Sequence, residues 1–410
     1  MAKSTNKNMG IIVAIIVIIL AIVYFTQQKP TTQVGKKQEI KVGIILGFTG
    51  PIESLTPAMA ASAELAFKEA SDSGSLMSGS TITPVRADST CVDSAAAQSA
   101  AEGLIADGVA AIMGADCSGV TGAIATNVAV PNGVVMISPS ATSPGLTDLA
   151  DNGFFFRTAP SDARGGQILA DITKDRGINS VAITYTNNDY GKGLADVYSA
   201  EVKSRGITVT AVESHEDGKA DYSSEVATLA SAGGDAVVVI GYIDQGGKGI
   251  IQASLDSGAF DTFILSDGMI GDALTDAFGE DLNKSFGSLP GSTGKGADVF
   301  TKVAKAAGID SSGPYTSESY DAGALLVLAM QAGGSADRSS IQKNVMSVAN
   351  APGTKIYPGE LKKALDLLAE GKEVDYEGAS GVSFTDVGEA EGSFLEKEIN
   401  GGKFETKQQR

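Results

Sequence analysis

Four polar features that could hold a small charged ligand each come shortly after an apolar segment of the sequence. They are Ser118, the hydroxyl-rich loop formed by residues 138–144, Tyr242 and Asp267. Backbone N–H groups and a serine hydroxyl at a helix start form a site for an anion, whereas a carboxylate such as that of Asp267 binds a cation. Each feature also has a structural interpretation. Ser118 could cap the helix that follows it, and Asp267, which precedes Gly268, could be a turn residue.

Catalytic and cofactor motifs are absent from the sequence. There is no GxGxxG after a strand, no GxxxxGK[ST], no GxSxG, and no HExxH, CxxC or EF-hand spacing. The single histidine, His215, lies in the polar run 213–217, where we expect a solvated surface residue, so a Ser-His-Asp triad has no centre. Spacing alone does not decide whether two carboxylates are paired as in glycosidases. We expect no enzyme activity, no catalytic residue, no metal ligand and no cofactor.

The elements that would position the polar features alternate between strand-like and helix-like segments. The first set predicts strands over 40–46, 81–87, 109–113 and 133–137, with helices over 57–72, 93–107 and 119–128. The second set predicts strands over 180–184, 207–212, 235–240 and 262–265, with helices over 161–176, 191–205, 222–231 and 246–257. Residues 152–160 lie between the sets and form a natural crossover. The pattern predicts an α/β fold with two doubly wound parallel-sheet lobes, in which ligands bind beyond the carboxyl ends of strands.

The last third of the chain continues with helices and ends in a strand-like region. Helices are predicted over 296–307, 315–331 and 361–370, and strand-like sequence over 381–404 with turns at 386–388 and 400–402.

The N-terminus predicts a membrane anchor. Residues 9–25 carry no charge and would form a helix about 25 Å long, the short end of a membrane span. Lys3 and Lys7 precede this segment, so the N-terminus should stay in the cytoplasm. We therefore expect an uncleaved anchor in residues 1–25 and a polar linker over 26–39, with the rest of the chain outside the cytoplasm. A cleaved signal peptide is the alternative.

The charge balance excludes a nucleic-acid partner. The net charge is −18, and no basic patch is present that could neutralise phosphates. Hydrophobic residues make up 43% of the chain, enough for globular domains with real cores.

Short motifs occur in a characteristic order along residues 40–405. They are Thr-Gly-Pro ending 41–51, Cys91 with Cys117, the loop 138–144, Asn-Asp-Tyr-Gly-Lys-Gly at 188–193, Gly-Tyr at 241–242, Asp-Gly at 267–268, Tyr315 with Tyr320, and Phe-Thr-Asp-Val-Gly at 384–388. Each motif is weak alone. In this order they resemble the branched-chain amino-acid-binding (Leu/Ile/Val-binding-like) family of type I periplasmic solute-binding proteins of ABC transporters.

The resemblance implies two lobes joined by a three-segment hinge that closes on a ligand. Lobe 1 would comprise residues 40–158 and 288–379, and lobe 2 residues 159–287 and 380–405. The resemblance also implies a disulfide that links the cysteines 91 and 117. A compartment outside the cytoplasm permits this bond, and two buried free thiols are the alternative.

The resemblance further implies a clamp for a zwitterion between the lobes. The Ser118 hydroxyl and the Thr142 amide would donate to the ligand carboxylate, and the helix start adds a favourable dipole. The Ser140 carbonyl, the Thr142 hydroxyl and the Asp267 carboxylate would accept from the ligand ammonium, and Ala141 belongs to the same loop. Three aromatic residues would close over the ligand: Tyr190, Tyr242 and Tyr315.

Two residues depart from the family pattern. Leu55 stands where many members carry an aromatic residue beside the ligand side chain, and Asp267 replaces the more common glutamate. The expected function is that of the extracytoplasmic substrate-binding component of an ABC importer, which binds a small amino acid, branched-chain or similar, and works with permease and ATPase subunits. A binding protein for urea or short amides and a ligand-sensing ectodomain are the alternatives.

Overall fold

The structure is a computed structural model that describes residues 37–410. The predicted anchor (9–25) and most of the predicted linker (26–39) lie outside the described residues. From residue 37 onward, no helix is long and apolar enough to cross a membrane. The anchor therefore stays a prediction from the sequence.

The first sheet consists of five parallel strands. They are β1 Glu39–Leu46, β2 Thr81–Asp88, β3 Ala111–Gly114, β4 Val135–Ser138 and β5 Phe155–Arg157. Their order across the sheet is β2-β1-β3-β4-β5. Strands β3 and β4 are buried along their whole lengths, as expected for a parallel sheet with helices on both faces.

Three helices connect these strands. They are α1 Thr56–Asp72, α2 Ser94–Ala106 and α3 Ser118–Ile124, the last continued by a π-helical turn at Ala125–Ala129. Helix α2 begins where the sequence predicted it, because the Asp93 carboxylate accepts hydrogen bonds from the amides of Ala95 and Ala96.

The second sheet repeats the βα pattern. Its parallel strands are β6 Ser180–Thr186, β7 Thr208–His215, β8 Ala236–Ile240, β9 Phe263–Leu265 and β10 Phe286–Pro290. The accompanying helices are α4 Asp162–Asp175, α5 Asp189–Ser204, α6 Ser223–Ala232, α7 Gly246–Ser257 and α8 Asp272–Phe278. Strand β10 and helix α8 were not predicted, since both are short and lack a clear period.

The chain then returns to pack against the first sheet, with β11 and β12 paired in a separate two-stranded sheet, before it ends in the second sheet. The returning elements are α9 Lys295–Ala306, α10 Thr316–Gly333, α11 Arg338–Ala349, β11 Thr354–Ile356, α12 Leu361–Ala369 and β12 Val374–Tyr376. Helix α10 is almost entirely buried between α1 and α11, in one apolar cluster with β1, β3 and β4. The closing hairpin, β13 Phe394–Asn400 and β14 Lys403–Gln409, completes a seven-stranded sheet in the order β14-β13-β10-β9-β8-β6-β7.

The two sheets with their helices form two lobes, and the chain passes between them three times. Lobe 1 is named here for the five-stranded sheet and lobe 2 for the seven-stranded sheet. The first and third passages run side by side: the Arg157 amide donates to the Gly388 carbonyl and the Ala390 amide to the Arg157 carbonyl, each at 3.0 Å. The predicted boundary between residues 287 and 288 falls within β10, and the lobe boundaries stay a prediction.

The prediction of a solvated His215 is wrong. His215 is the last residue of β7, is 1% exposed, and its Nδ1 lies 2.8 Å from the Thr184 hydroxyl. The polar run 213–217 predicted a loop, but β7 continues into it, and alternation along the strand turns this one side chain inward. Gly241 and Gly246 leave room for the ring, because a Cβ at either position would approach it within 3.1 Å.

Candidate ligand-binding site between the lobes

A buried pocket lies between the lobes, beyond the carboxyl ends of β3, β4, β8 and β9. Lobe 1 contributes Ile52, Leu55, Met59, Asp116, Cys117, Ser118, Ser140 and Tyr315, and lobe 2 contributes Tyr190, Tyr242, Asp267 and Gly268. Six of the eight predicted ligand residues line this pocket. The other two, Ala141 and Thr142, are buried directly beside Ser140.

Asp267 is the carboxylate at the centre of the pocket. It follows β9, is 7% exposed, and accepts a hydrogen bond from the Tyr190 hydroxyl at 2.7 Å on Oδ1 and one from the Tyr315 hydroxyl on Oδ2. Burial raises the pKa of Asp267, although the two tyrosine hydroxyls oppose this shift. Because Tyr315 belongs to lobe 1, the carboxylate links the lobes.

The three predicted tyrosines are all buried around this carboxylate. The rings of Tyr190 and Tyr242 stack with centroids 5.3 Å apart, and the Tyr242 hydroxyl accepts from the Asn188 side chain at 3.3 Å. Tyr315 immediately precedes α10 with φ of 59°, a left-handed conformation that costs a bulky residue roughly 1–3 kcal/mol. Such strain is typical of ligand-binding clamps.

The loop 138–144, termed the ligand loop below, is fixed by its own hydroxyl groups. The Ser138 hydroxyl accepts from the Ala141 amide at 3.0 Å, and the Ser140 hydroxyl donates to the Asp116 carbonyl at 3.1 Å. Ser118 is the first residue of α3, and its hydroxyl accepts from the Ser143 amide at 3.1 Å. Ser118 therefore positions the ligand loop and does not cap its own helix.

A buried arginine, Arg157, binds the backbone carbonyls of the two residues that flank Thr142. Arg157 is 1% exposed, and its Nη1 donates to the carbonyls of Ala141 at 3.1 Å and Ser143 at 2.9 Å. Its Nη2 donates to Glu389, which lies on the third passage between the lobes, at 2.5 Å. Through this guanidinium, the ligand loop is tied directly to the hinge.

Asp162 is a functional candidate that the sequence analysis missed. It is the first residue of α4, is 3% exposed, and its Oδ2 has no hydrogen-bond partner among the described residues. Burial and the nearby Asp267 carboxylate raise the pKa of Asp162 well above its usual value, against the effects of Thr142 and Arg157. The Thr142 hydroxyl is also buried without a hydrogen-bond partner of good geometry in the described chain. The sequence Ser161-Asp162 is typical of a helix N-terminus. The only signal of a functional role was that these residues directly follow the predicted crossover 152–160.

The strand ends of lobe 1 are held together beneath the ligand loop. The buried Asp116 carboxylate accepts from the amides of Gly47 at 2.5 Å and Cys117 at 2.9 Å, and from the Ser89 hydroxyl at 3.0 Å. A disulfide joins Cys117 to Cys91, which confirms the predicted pairing. Together these contacts fix the loop that carries Ser118.

One wall of the pocket is apolar. Ile52 and Met59 are buried, and Leu55 is partly buried and also packs against Gly271 of lobe 2. A pocket with a few converging polar groups and an apolar wall suits a small amphipathic molecule.

A two-lobed α/β fold with such an interlobe pocket defines the class of solute-binding proteins of ABC-type transport, which are not enzymes. Residues 39–360 match the family model of the periplasmic binding proteins, so the chain belongs to this family. The resemblance to its branched-chain amino-acid-binding type I members is confirmed.

Relatives and solved structures agree with this assignment. Leu/Ile/Val-binding protein homolog 3 of Brucella melitensis is 30% identical over 217 residues, which are 51% of this chain and 56% of that protein. The chemotactic signal transduction system substrate-binding protein BasB of Halobacterium salinarum is 26% identical over 393 residues, 90% of this chain and 89% of that protein. The crystal structure of the branched-chain amino acid transporter substrate-binding protein LivJ of Streptococcus pneumoniae, in complex with isoleucine, shares the fold with a TM-score of 0.74. It is 24% identical and covers 91% of this chain and 99% of that one.

Proposed function

We propose that the protein is the substrate-binding component of an ABC importer and captures a free, small α-amino acid with an apolar side chain. One observation carries the proposal. The buried carboxylate of Asp267 lines the pocket and interacts with the nearby Asp162 carboxylate. Neither one oxygen of Asp162 nor the Thr142 hydroxyl makes a hydrogen bond of good geometry in the described chain, although Thr142 is near enough to lower the pKa of Asp162. Buried acceptors of this kind need a donor.

An α-ammonium group supplies what these acceptors lack. It is a cation with three N–H donors, which fits two carboxylates and a hydroxyl. The ligand carboxylate would bind at the Ser118 hydroxyl and the Thr142 amide, with the Ser140 carbonyl beside the ammonium. Tyr190, Tyr242 and Tyr315 would close over the ligand and exclude water.

The apolar wall supports an apolar ligand side chain. Ile52, Leu55 and Met59 offer no hydrogen-bonding group to a polar side chain. A relative named as a Leu/Ile/Val-binding protein homolog and a structural neighbour bound to isoleucine point in the same direction.

The test is binding to a matched set of small molecules. L-Leucine and L-isoleucine should stabilise the protein against heat, by about 2.7 kcal/mol at 100 times their Kd. 4-Methylpentanoate, which is leucine without its ammonium, should not. Stabilisation by urea or acetamide, with none by any amino acid, would contradict the proposal and favour a binding protein for short amides.

An import role also implies a location at the cell membrane and transporter subunits as partners. Residues 9–25 would anchor the chain in the cell membrane with the binding lobes outside the cytoplasm, and closed lobes would dock on permease subunits driven by an ATPase. Intact mass of the native protein tests the anchor, because a chain that lacks about the first 25 residues would show cleavage.

A sensory role is the second candidate, favoured by the similarity to BasB along 90% of the chain. Uptake of labelled leucine by cells with and without the protein distinguishes the two roles. Uptake that does not change on removal of the protein would favour sensing.

A further inference from the structure

Asp244 of lobe 2 reaches across the cleft to lobe 1. It lies in the loop between β8 and α7, and its Oδ2 accepts a hydrogen bond from the Ser54 amide at 2.8 Å. Its own amide donates to the Pro51 carbonyl at 3.0 Å. Pro51 and Ser54 belong to the loop between β1 and α1. None of the three residues lines the ligand pocket.

These contacts lie directly beside the pocket. Ile52 and Leu55, on the same lobe 1 loop, line the pocket, and so does Tyr242, two residues before Asp244. Hinge opening would separate the two loops, so the contacts require closed lobes. Asp244 is partly exposed and Ser54 is exposed, so water can hydrate both groups once the lobes part. The contact therefore stabilises closure without leaving a buried, unpaired group in the open form.

We propose that Asp244 is a closure latch, a positioning residue that stabilises the closed form and prolongs ligand residence without touching the ligand. The latch shifts the equilibrium between open and closed lobes towards the closed form, whichever ligand is bound and also when the protein is empty. It should change the dissociation rate more than the association rate, because it forms after encounter.

A thiol trap measures closure of the ligand-free, full-length protein. A Cβ at Gly193 of lobe 2 would lie 3.1 Å from the Ser143 hydroxyl of lobe 1 and 2.9 Å from the Pro144 ring. The pair Ser143→Cys and Gly193→Cys should therefore form a disulfide only when the lobes close. The contact with Pro144 opposes closure to the same extent in every variant, so rates are compared only within this background. Because trapping accumulates, its rate reports even a small closed population. The native cysteines are already paired and do not compete.

In this background, Asp244→Ala should slow trapping roughly fivefold to tenfold, which corresponds to about 1–1.4 kcal/mol. Asp244→Asn, which keeps an acceptor oxygen, should fall between Asp244→Ala and the parent. The control is Asp256→Ala, which removes an exposed carboxylate from the end of α7, on the same lobe but without a contact to lobe 1. Equal trapping rates for Asp244→Ala and Asp256→Ala would overturn the latch.

A second arm adds L-leucine and depends on the proposed function. Leucine should accelerate trapping in the parent pair, and Asp244→Ala should reduce that acceleration. If leucine neither accelerates trapping nor binds the unsubstituted protein in calorimetry, while Asp244→Ala still slows ligand-free trapping, the proposed ligand is wrong and the latch is supported. If leucine accelerates trapping equally in both proteins and their ligand-free rates also agree, the latch is overturned and the ligand is supported.

Discussion

Replacement of Asp267 by asparagine tests the proposed ammonium site most directly. Asparagine keeps the size of the side chain and one acceptor oxygen but removes the negative charge. A hydrogen bond to a charged group contributes about 1.5–3 kcal/mol. At 1.4 kcal/mol for each factor of ten, Asp267→Asn should weaken the binding of an amino acid roughly 10- to 150-fold.

The same substitution should leave the fold intact. The native pKa of Asp267 is raised by burial, so its ionised form is less favourable in the empty folded protein than in the unfolded chain. Above that pKa the charge therefore opposes folding, and its removal relieves this effect. We expect the free energy of unfolding of ligand-free Asp267→Asn at pH 7 to equal or exceed that of the parent. The amide oxygen of the substituted asparagine would still accept a hydrogen bond from one of the two tyrosine hydroxyls, Tyr190 or Tyr315, that now donate to Asp267.

Isothermal titration calorimetry with L-leucine measures the affinity, and urea unfolding measures the stability. Asp256→Asn, which neutralises an exposed carboxylate of lobe 2, should change neither quantity. Asp267→Glu keeps the charge and should retain more affinity than Asp267→Asn. If Asp267→Asn binds leucine as tightly as the parent, the ammonium does not bind at this carboxylate. An uncharged amide or urea would then fit the pocket better.

Three further outcomes test the surrounding structure. Burial lowers the pKa of His215 to about 4, from about 6.5 in the unfolded chain, so its contribution to stability is present above pH 6.5 and is lost as the pH falls towards 4. Urea unfolding should show a parent that loses about 3 kcal/mol more than His215→Gln over this range; equal losses would contradict the assignment of a buried neutral ring. The double variant Cys91→Ala, Cys117→Ala opens a loop of 26 residues, so its free energy of unfolding should fall by about 3.5 kcal/mol by the chain-entropy relation. An unchanged free energy of unfolding would show that the disulfide does not stabilise the fold. Arg157→Lys keeps the charge but cannot reproduce the forked contacts, so the free energy of unfolding should fall by about 2 kcal/mol or more and leucine affinity should fall with it; parental values of both would remove Arg157 from the support of the ligand loop.

The sequence predicted most of the long elements because their patterns are strong, but it missed the twelve-residue helix α11, Arg338–Ala349. The helix predicted at 57–72 is α1, Thr56–Asp72, and the buried strand Ala236–Ile240 is an unbroken apolar run. The three-residue strands β11 and β12 were missed, because half of their residues are polar and neither strand forms an apolar run as β9 does. The third passage between the lobes was predicted as strand-like, but only its later part, β13 and β14, forms a hairpin.

The site could be predicted only in part, for a similar physical reason. Ser118 and Asp267 follow strands, and the carboxyl ends of parallel strands meet at one edge of a sheet. Asp162 lies at the start of a helix after a crossover, where an acidic residue is also the ordinary choice next to the helix dipole. His215 is buried because of which face of β7 it occupies, and that depends on how far the strand extends. Local sequence does not determine either position.

The balance of charges in the pocket links ligand occupancy to closure. Asp267 lines the pocket, and the buried Asp162 lies beside the ligand loop, where its amide donates to the Thr142 carbonyl at 2.8 Å. The Arg157 guanidinium, which acts on Asp162, is already paired with Glu389. Closure of an empty pocket therefore either confines negative charge in a medium of low dielectric constant or requires the uptake of a proton, which the raised pKa of Asp162 favours; both oppose closing at neutral pH. An ammonium between the carboxylates offsets that repulsion in the closed form, where the groups are dehydrated and close together. A neutral ligand such as urea offsets nothing unless a carboxylate first takes up a proton, and an anion adds to the repulsion. If the proposed ammonium site is right, the pocket favours closure around a cationic group, so that only the loaded protein presents a closed surface.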